Sequence, residues 1–236
     1  MPRRFAWHNG AVRAALLLLP VLFSACGARE PDPPAAAERD AAARTPARPS
    51  TERDAAPAPP WEPAEGKELL GSSAPGWSAE RAWFNSDPLT LEELRGKVVL
   101  IRWWTTGCGL CVATAPALND FHARFAARGL VVLGFHHPKS DDAHKPEVVR
   151  GAAKRLGFEF PVAQDEDWSV LNRWWFAEGA ERDYTSASFL LDRKGVIRWI
   201  HPGGEYHSGG GDGHEECRTA RKSLEEEIVK LLDESP

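Results

Sequence analysis

An uninterrupted apolar segment that leads directly into a pair of cysteines constrains the fold more than any other feature of this chain. Residues 98–104 read Val-Val-Leu-Ile-Arg-Trp-Trp, and such a near-continuous apolar run is typical of a central strand that is covered on both faces. Cys108 follows after a three-residue turn, and the apolar spacing beyond it predicts a helix that ends near Gly129. Strand, turn and helix in this order place Cys108 at the amino terminus of a helix.

The residues from Lys67 onward alternate between strand-like and helix-like segments. The further predicted elements are a strand over 130–135, a helix over 146–156, a strand over 160–163, a helix over 168–176, hairpin strands over 188–192 and 196–200, and a last helix that carries Leu224, Ile228 and Leu231. Strands that alternate with helices predict the α/β class, with a central sheet flanked by helices rather than a helix bundle or a sandwich.

Composition sets the expected domain boundaries. Of the 236 residues, 42% are hydrophobic and 27% are charged, which suits one globular domain with extensions. Residues 26–66 consist mostly of Ala, Pro, Arg, Asp and Glu and cannot bury enough apolar surface to fold, so they are predicted to be a disordered linker. Residues 67–236 form the predicted domain. The formal net charge of −5 gives no reason to expect nucleic acid as a partner.

Residues 1–25 have the pattern of a secretory signal peptide. A basic stretch ends at Arg13, an apolar run over 14–23 follows, and two small residues precede Cys26. The run is too short to span a bilayer, which takes about 20 residues. The segment that ends at Cys26 is similar to a bacterial lipobox, which implies lipidation of that cysteine; an ordinary signal-peptidase cut nearby is the alternative. We therefore expect an exported protein on the periplasmic or cell-surface side, anchored to a membrane by lipid.

The remaining cysteines point to thiol chemistry. Cys108 and Cys111 form a Cys-x-x-Cys motif, and Cys217 stands alone. A Cys-x-x-Cys is also half of a structural zinc site, but the second pair that such a site needs is missing. The amino terminus of a helix favours the thiolate of its first cysteine. Cys108 is therefore the predicted nucleophile towards a disulfide, and Cys111 is the residue that resolves the mixed disulfide.

Three segments resemble the TlpA/ResA-like branch of the thioredoxin family, whose members are exported or membrane-anchored bacterial disulfide oxidoreductases. They are Leu-Arg-Gly-Lys-Val-Val-Leu-Ile-Arg-Trp-Trp-Thr-Thr-Gly-Cys-Gly-Leu-Cys at 94–111 with Pro116 beyond it, Phe-Pro-Val at 160–162, and Ser-Phe-Leu-Leu-Asp-Arg-Lys-Gly at 188–195. The resemblance implies a thioredoxin-like fold, with a central mixed sheet flanked by helices, and thiol–disulfide exchange with protein disulfides. The second redox partner stays unidentified, and no cofactor or resident metal is predicted.

Four positions depart from the family pattern. Gly107 and Leu110 replace the Trp and Pro that usually precede the two cysteines. Arg102 stands where thioredoxins often have a buried acid and TlpA-like proteins often have Asn. It either favours the thiolates from beneath the dithiol, or turns outward to solvent or to an acidic partner. Ser186 aligns with the family's cis-proline, so the loop is either trans and reshaped or strained and cis.

Histidines and the last cysteine offer a second set of ligands. The candidates are His136, His137, His201, His207, His214 and Cys217. Because the loop after the last strand of a thioredoxin fold lies near the dithiol, a mixed zinc or copper site is one interpretation. In the other, Cys217 shares the apolar face of the last helix and is a core residue, while His207 and His214 lie in loops. Transient pairing of Cys217 with Cys108 is a third interpretation.

Two alternative functions would use the same residues. A thioredoxin-fold carrier would bind copper or zinc with the dithiol and nearby histidines, as Sco-like proteins do, although those have three residues between their cysteines where this chain has two. A peroxidase would share Thr105, three residues before Cys108, but the proline expected four residues before Thr105 is Ile101. The favoured prediction is a membrane-tethered thiol–disulfide oxidoreductase.

Overall fold

Six strands form one mixed sheet in the computed structural model, which describes residues 61–234. The strands are β1 (Trp83–Phe84), β2 (Val98–Trp104), β3 (Leu130–His136), β4 (Val162–Gln164), β5 (Ser188–Leu191) and β6 (Ile197–His201). They lie across the sheet in the order β1-β4-β3-β2-β5-β6. β3 pairs in parallel with both β2 and β4, and the other neighbours are antiparallel. The predicted mixed sheet is therefore confirmed.

Helices cover both faces of this sheet. They are α1 (Gly109–Phe125), α2 (Pro146–Arg155), α3 (Ser169–Trp174) and α4 (Glu215–Asp233). α1, α2 and α4 pack into one hydrophobic core, and α3 packs into a second core on the opposite side. All seven residues of β2 are buried, as predicted for a central strand. The strand that leads to the two cysteines is thus buried along its whole length.

The elements predicted beyond the dithiol are confirmed, with small shifts of their ends. The first helix ends at Phe125, and a short 3-10 turn over Ala126–Arg128 reaches Gly129. The β5–β6 hairpin turns at Gly195, whose φ of 72° favours glycine. The sequence gives no prediction of β1, because a segment of two residues carries no periodicity.

The described residues begin inside the predicted linker. Trp61 stacks on His201, with 5.1 Å between the ring centroids, and donates from Nε1 to the Ile200 carbonyl at 3.1 Å. The contacts of the folded part therefore extend to Trp61, which precedes the predicted boundary at Lys67. One aromatic side chain buries enough surface to attach a segment that has little other apolar character.

The predicted signal peptide over 1–25, the lipidation site Cys26 and the linker as far as residue 60 lie outside the described residues. Within 61–234, no helix combines the length and the hydropathy that crossing a membrane requires.

Candidate active site

Cys108 and Cys111 lie where the central strand β2 leads into α1, and they form a disulfide. Cys108 is the N-cap of α1, and its Sγ accepts a hydrogen bond from the Cys111 N–H at 3.1 Å. Cys108 is partly exposed and Cys111 is buried, so an incoming disulfide meets Cys108 first. The helix amino terminus and this N–H favour the thiolate of Cys108 once the disulfide is reduced.

The turn before Cys108 is fixed by its backbone conformation and by His136. Gly107 has a φ of 78°, and nothing lies within 4 Å of where its Cβ would be, so conformation rather than space favours glycine. His136, at the end of β3, accepts at Nε2 a hydrogen bond from the Thr106 N–H at 3.3 Å. Burial lowers the pKa of His136 to about 4, so the ring is neutral at pH 7 and keeps its acceptor nitrogen.

The other wall of the dithiol pocket comes from the end of β3 and from the loop before β5. Its residues are His137, Lys139, Asp183, Tyr184, Thr185 and Ser186. His137 Nε2 lies 2.9 Å from Thr185 Oγ1, and burial lowers the pKa of His137 to about 3. The sequence alone does not identify Thr185 as a pocket residue, except through its position next to Ser186.

Ser186 is buried and lines this pocket through a trans loop. No cis peptide bond occurs in residues 61–234. Of the two alternatives predicted for the loop at Ser186, the trans loop is therefore the one adopted. The neighbouring Ala187 carbonyl accepts the Trp103 N–H at 3.0 Å. The loop is thereby joined to the end of the strand that carries the dithiol.

Exposed apolar side chains surround the two sulfurs. Leu110 is 38% exposed and Tyr184 is 45% exposed, and both line the dithiol pocket. Val112, which is 56% exposed, lines the adjoining groove beside Cys108. In residues 61–234 the one further large apolar side chain of similar exposure is Leu70, at 39%. Apolar surface concentrated at one place is typical of a protein-binding site.

Arg102 is buried inside the fold, with 1% of its surface exposed. It donates to Ser188 Oγ at 3.2 Å and to the Gly204 carbonyl at 2.6 Å, and its guanidinium lies 5.5 Å from the centre of the Tyr206 ring. Of the two alternatives, the one in which it turns outward or pairs with an acid is therefore wrong, since Arg102 is buried and its hydrogen bonds go to Ser188 and to the Gly204 carbonyl. Its hydrogen bonds to β5 and to the loop after β6 hold it inside. Burial lowers the pKa of Arg102 to about 10, which leaves it cationic at pH 7.

The histidine-rich end of the chain is divided between separate places. His201 is buried, and burial lowers its pKa to about 3. A distinct cluster consists of Glu205, His207, His214 and Cys217. No member of this cluster lines the dithiol pocket, so Cys217 is not beside Cys108. The expectation that Cys217 is a core residue is also wrong: it is only partly buried, because the first turn of α4 extends beyond the core.

Residues 70–200 match the model of the family described as AhpC/TSA. The thiol-disulfide oxidoreductase YkuV of Bacillus subtilis is 29% identical over 167 residues, which are 70% of this chain and 98% of YkuV. Protein DipZ of Mycobacterium bovis is 32% identical over 143 residues, which are 57% of this chain and 19% of DipZ. The chain thus spans nearly all of one relative and less than two thirds of the other.

A solved structure has the same fold. The solution structure of a thioredoxin-like protein in its oxidized form aligns with a TM-score of 0.52 and 26% identity, over 70% of this chain and 97% of that protein. The expected thioredoxin-like fold and the resemblance to the thioredoxin family are thereby confirmed.

Proposed function

The chain belongs to the AhpC/TSA family, whose model spans more than half of its length, and from this premise we propose that it is a thiol–disulfide oxidoreductase acting on protein disulfides. One observation carries the proposal: Cys108 is the N-cap of α1 and is partly exposed, beside the buried Cys111. The near full-length match to an oxidoreductase, YkuV, supports the same chemistry here.

The proposed reaction is a pair of sulfur exchanges. The Cys108 thiolate attacks one sulfur of the substrate disulfide, which forms a mixed disulfide and releases the other substrate sulfur as a thiolate. The Cys111 thiolate then attacks Cys108 Sγ, forms the internal disulfide and releases the second substrate thiolate. Two electrons pass from the dithiol to the substrate. A second dithiol partner, of a class still to be identified, returns the protein to its reduced form.

The surface around the dithiol supports a protein as the substrate. Leu110 and Tyr184 both expose apolar surface at the pocket. An apolar segment next to the substrate disulfide would bury this surface when the substrate binds. Gly107 allows the turn that presents Cys108, and Ser186, in the loop before β5, lines the dithiol pocket. The buried cation Arg102 joins β2 to the loop after β6.

The proposal extends to the location of the protein. Residues 1–25 act as the signal peptide, Cys26 carries the lipid anchor, and the linker holds the catalytic domain outside the cytoplasm at a membrane surface. The basic stretch, the short apolar run and the small residues before Cys26 support this arrangement. Expression in a bacterial host followed by fractionation tests it. The wild type is expected in the membrane fraction and Cys26→Ser in the soluble fraction, and the same distribution for both would contradict the anchor.

Insulin reduction tests the activity. The full chain, reduced beforehand, is incubated with insulin and dithiothreitol, and precipitation of the insulin B chain is followed against time. Wild type is expected to accelerate precipitation, and both Cys108→Ser and Cys111→Ser should reduce the rate to the background of dithiothreitol alone.

His144→Ala serves as the control, because His144 is exposed and lies outside the dithiol pocket. It should keep the wild-type rate. A Cys108→Ser protein that remains as active as wild type would overturn the proposed function.

A further inference from the structure

The loop between β6 and α4 gathers four side chains with metal-ligand chemistry. The cluster, which we call the loop cluster, consists of Glu205, His207, His214 and Cys217. Each residue offers one ligand atom, and the four atoms all lie within 4.8 Å of one another. From this geometry we propose that the loop cluster binds one zinc ion.

The separations within the loop cluster suit tetrahedral coordination. Glu205 Oε1 lies 3.6 Å from His207 Nε2, 3.5 Å from His214 Nδ1 and 4.0 Å from Cys217 Sγ. Zinc bonds of about 2.0–2.3 Å at tetrahedral angles place ligand atoms about 3.3–3.6 Å apart. The three distances from Glu205 Oε1 need to shorten by a few tenths of an ångström at most, and the other separations, which are up to 4.8 Å, by up to about 1 Å, for the four atoms to surround one ion.

The imidazole nitrogens have the orientation that metal binding needs. His207 Nδ1 donates to the Gly209 carbonyl at 2.9 Å, which fixes the proton on Nδ1 and leaves the lone pair of Nε2 facing the carboxylate of Glu205. A ligating histidine usually donates its other ring N–H to such a carbonyl. His214 Nδ1 is buried without a hydrogen-bond partner in the described part of the chain, and a metal ion would supply that partner.

The backbone around the loop cluster brings these side chains together. Gly210 has a φ of 91°, and a Cβ there would lie 2.7 Å from His214 Cγ, so glycine is needed for the loop to fold back onto the histidine. The residues on either side of Glu205 are anchored: Arg102 binds the Gly204 carbonyl, and the Tyr206 N–H bonds to a threonine of α1 at 3.4 Å. Glu205 is therefore held at a fixed place before any ion arrives.

The donor set favours zinc over the other common metals. One thiolate, two imidazoles and one carboxylate match the ligands of tetrahedral zinc, whereas calcium and magnesium prefer oxygen atoms alone and copper(I) prefers sulfur. Four protein ligands make a closed site, which serves structure rather than catalysis. Binding releases the Cys217 thiol proton to solvent, and the bound ion fastens the loop after β6 to the start of α4.

Zinc binding by the purified full chain tests this proposal. The protein is stripped of metal, kept reduced with a phosphine, and titrated with zinc against a chromophoric chelator. One zinc per chain is expected for wild type. Affinity should fall by more than about tenfold in Cys217→Ser and in His207→Ala, because loss of even an outer-shell partner costs that much. Cobalt in place of zinc should give a thiolate charge-transfer band that Cys217→Ser abolishes.

Two further variants separate this site from the proposed redox site. Cys108→Ser/Cys111→Ser should bind zinc as wild type does, since no loop-cluster residue lines the dithiol pocket, and so should His144→Ala, which alters an exposed histidine elsewhere. Glu205→Gln, a conservative change, provides the measurement if Cys217→Ser fails to fold. Absence of zinc binding in wild type, loss of binding in the dithiol variant, or unchanged affinity in both Cys217→Ser and Glu205→Gln would overturn the proposal.

Discussion

The two glycines that flank Cys108 differ in backbone conformation, and this difference predicts opposite mutational effects. Gly107 has a φ of 78°, whereas Gly109 is the first residue of α1, and neither has an atom within 4 Å of its Cβ position. Gly107→Ala is expected to destabilise the fold by about 1–2 kcal/mol, because the left-handed conformation is costly for a residue with a Cβ. Gly109→Ala should be neutral or stabilise by up to about 1 kcal/mol.

Urea denaturation of the two glycine variants measures this difference directly. Because both substitutions add one methyl group beside the same cysteine, each is the control for the other. Equal changes in the free energy of unfolding would contradict the assigned conformation of the turn.

Buried histidines make the stability of the protein depend on pH. Burial lowers the pKa of His136 to about 4 from the usual 6.5 of histidine, so between these values the unfolded chain takes up a proton that the folded chain does not. The free energy of unfolding therefore falls as the pH drops below about 6.5. At pH 5 this histidine accounts for about 2 kcal/mol of the loss, and His137 and His201 add to it in the same direction.

His136→Gln tests this linkage, because glutamine can still accept the hydrogen bond from the Thr106 N–H. The variant is expected to lose about 2 kcal/mol less than wild type between pH 7 and pH 5, as measured by urea denaturation at each pH. If the free energy of unfolding of His136→Gln fell between pH 7 and pH 5 by as much as that of wild type, the lowered pKa assigned to His136 would be contradicted.

Single residues also mark the limit of what the sequence predicts. The roles of Cys108 and Cys111 follow from local order alone, since strand, turn and helix are read from adjacent residues. The burial of Arg102 does not follow, because its partners Ser188 and Gly204 lie far along the chain. The sequence around Glu205 does not mark it as a metal ligand either. Glu205 becomes a candidate ligand only because the loop between β6 and α4 brings it next to His214 and Cys217.

At the level of elements, one buried carboxylate fixes the start of α3. Asp165 accepts hydrogen bonds from the N–H groups of Val170 at 3.0 Å and Leu171 at 2.8 Å, and it pairs with Arg81 at 3.2 Å. Asp165→Ala is expected to destabilise the fold by about 3 kcal/mol or more, because it leaves a largely buried cation and two helix donors without partners.

Asp167→Ala is the matched control for this substitution. Asp167 is exposed and accepts a hydrogen bond from the neighbouring Ser169 N–H at 3.1 Å, so its loss should cost about 1 kcal/mol or less. Thermal or urea unfolding compares the two. Similar losses for both would contradict the role assigned to Asp165.

Elements with strong periodicity or unbroken apolar runs are predicted well, and those set by distant contacts are not. α2 and the β5–β6 hairpin lie close to their expected positions, since their ends carry proline or glycine. β1 forms only because β4 offers it an edge. Trp61 joins the domain because it packs against the rings of His201 and Trp199 and donates a hydrogen bond to the Ile200 carbonyl. Neither contact leaves a pattern in the local sequence.

At the scale of the whole molecule, the concentration of exposed apolar side chains at one site predicts how substrates are distinguished. Leu110→Ser should raise the KM for a protein disulfide about fivefold, which corresponds to about 1 kcal/mol of lost interface contact. It should leave the rate with a small disulfide such as oxidized glutathione unchanged, because that substrate is too small to cover the patch.

Leu70→Ser supplies the control for the apolar patch. Leu70 is as exposed as Leu110, at 39% against 38%, but lies outside the dithiol pocket. It should leave both substrates unaffected. If Leu70→Ser and Leu110→Ser raised the KM equally, the patch would have no role in recognising the substrate.

The central claim, that Cys108 attacks and Cys111 resolves, is tested most directly by trapping the mixed disulfide. The full chain carrying Cys111→Ser and Cys217→Ser is reduced, freed of reductant, mixed with insulin and alkylated, and its peptides are mapped by mass spectrometry. A stable adduct joined through Cys108 is expected, and none is expected on Cys111 in the matching Cys108→Ser/Cys217→Ser protein. An adduct of equal yield on Cys111 in that second protein, or no adduct in the first, would contradict it.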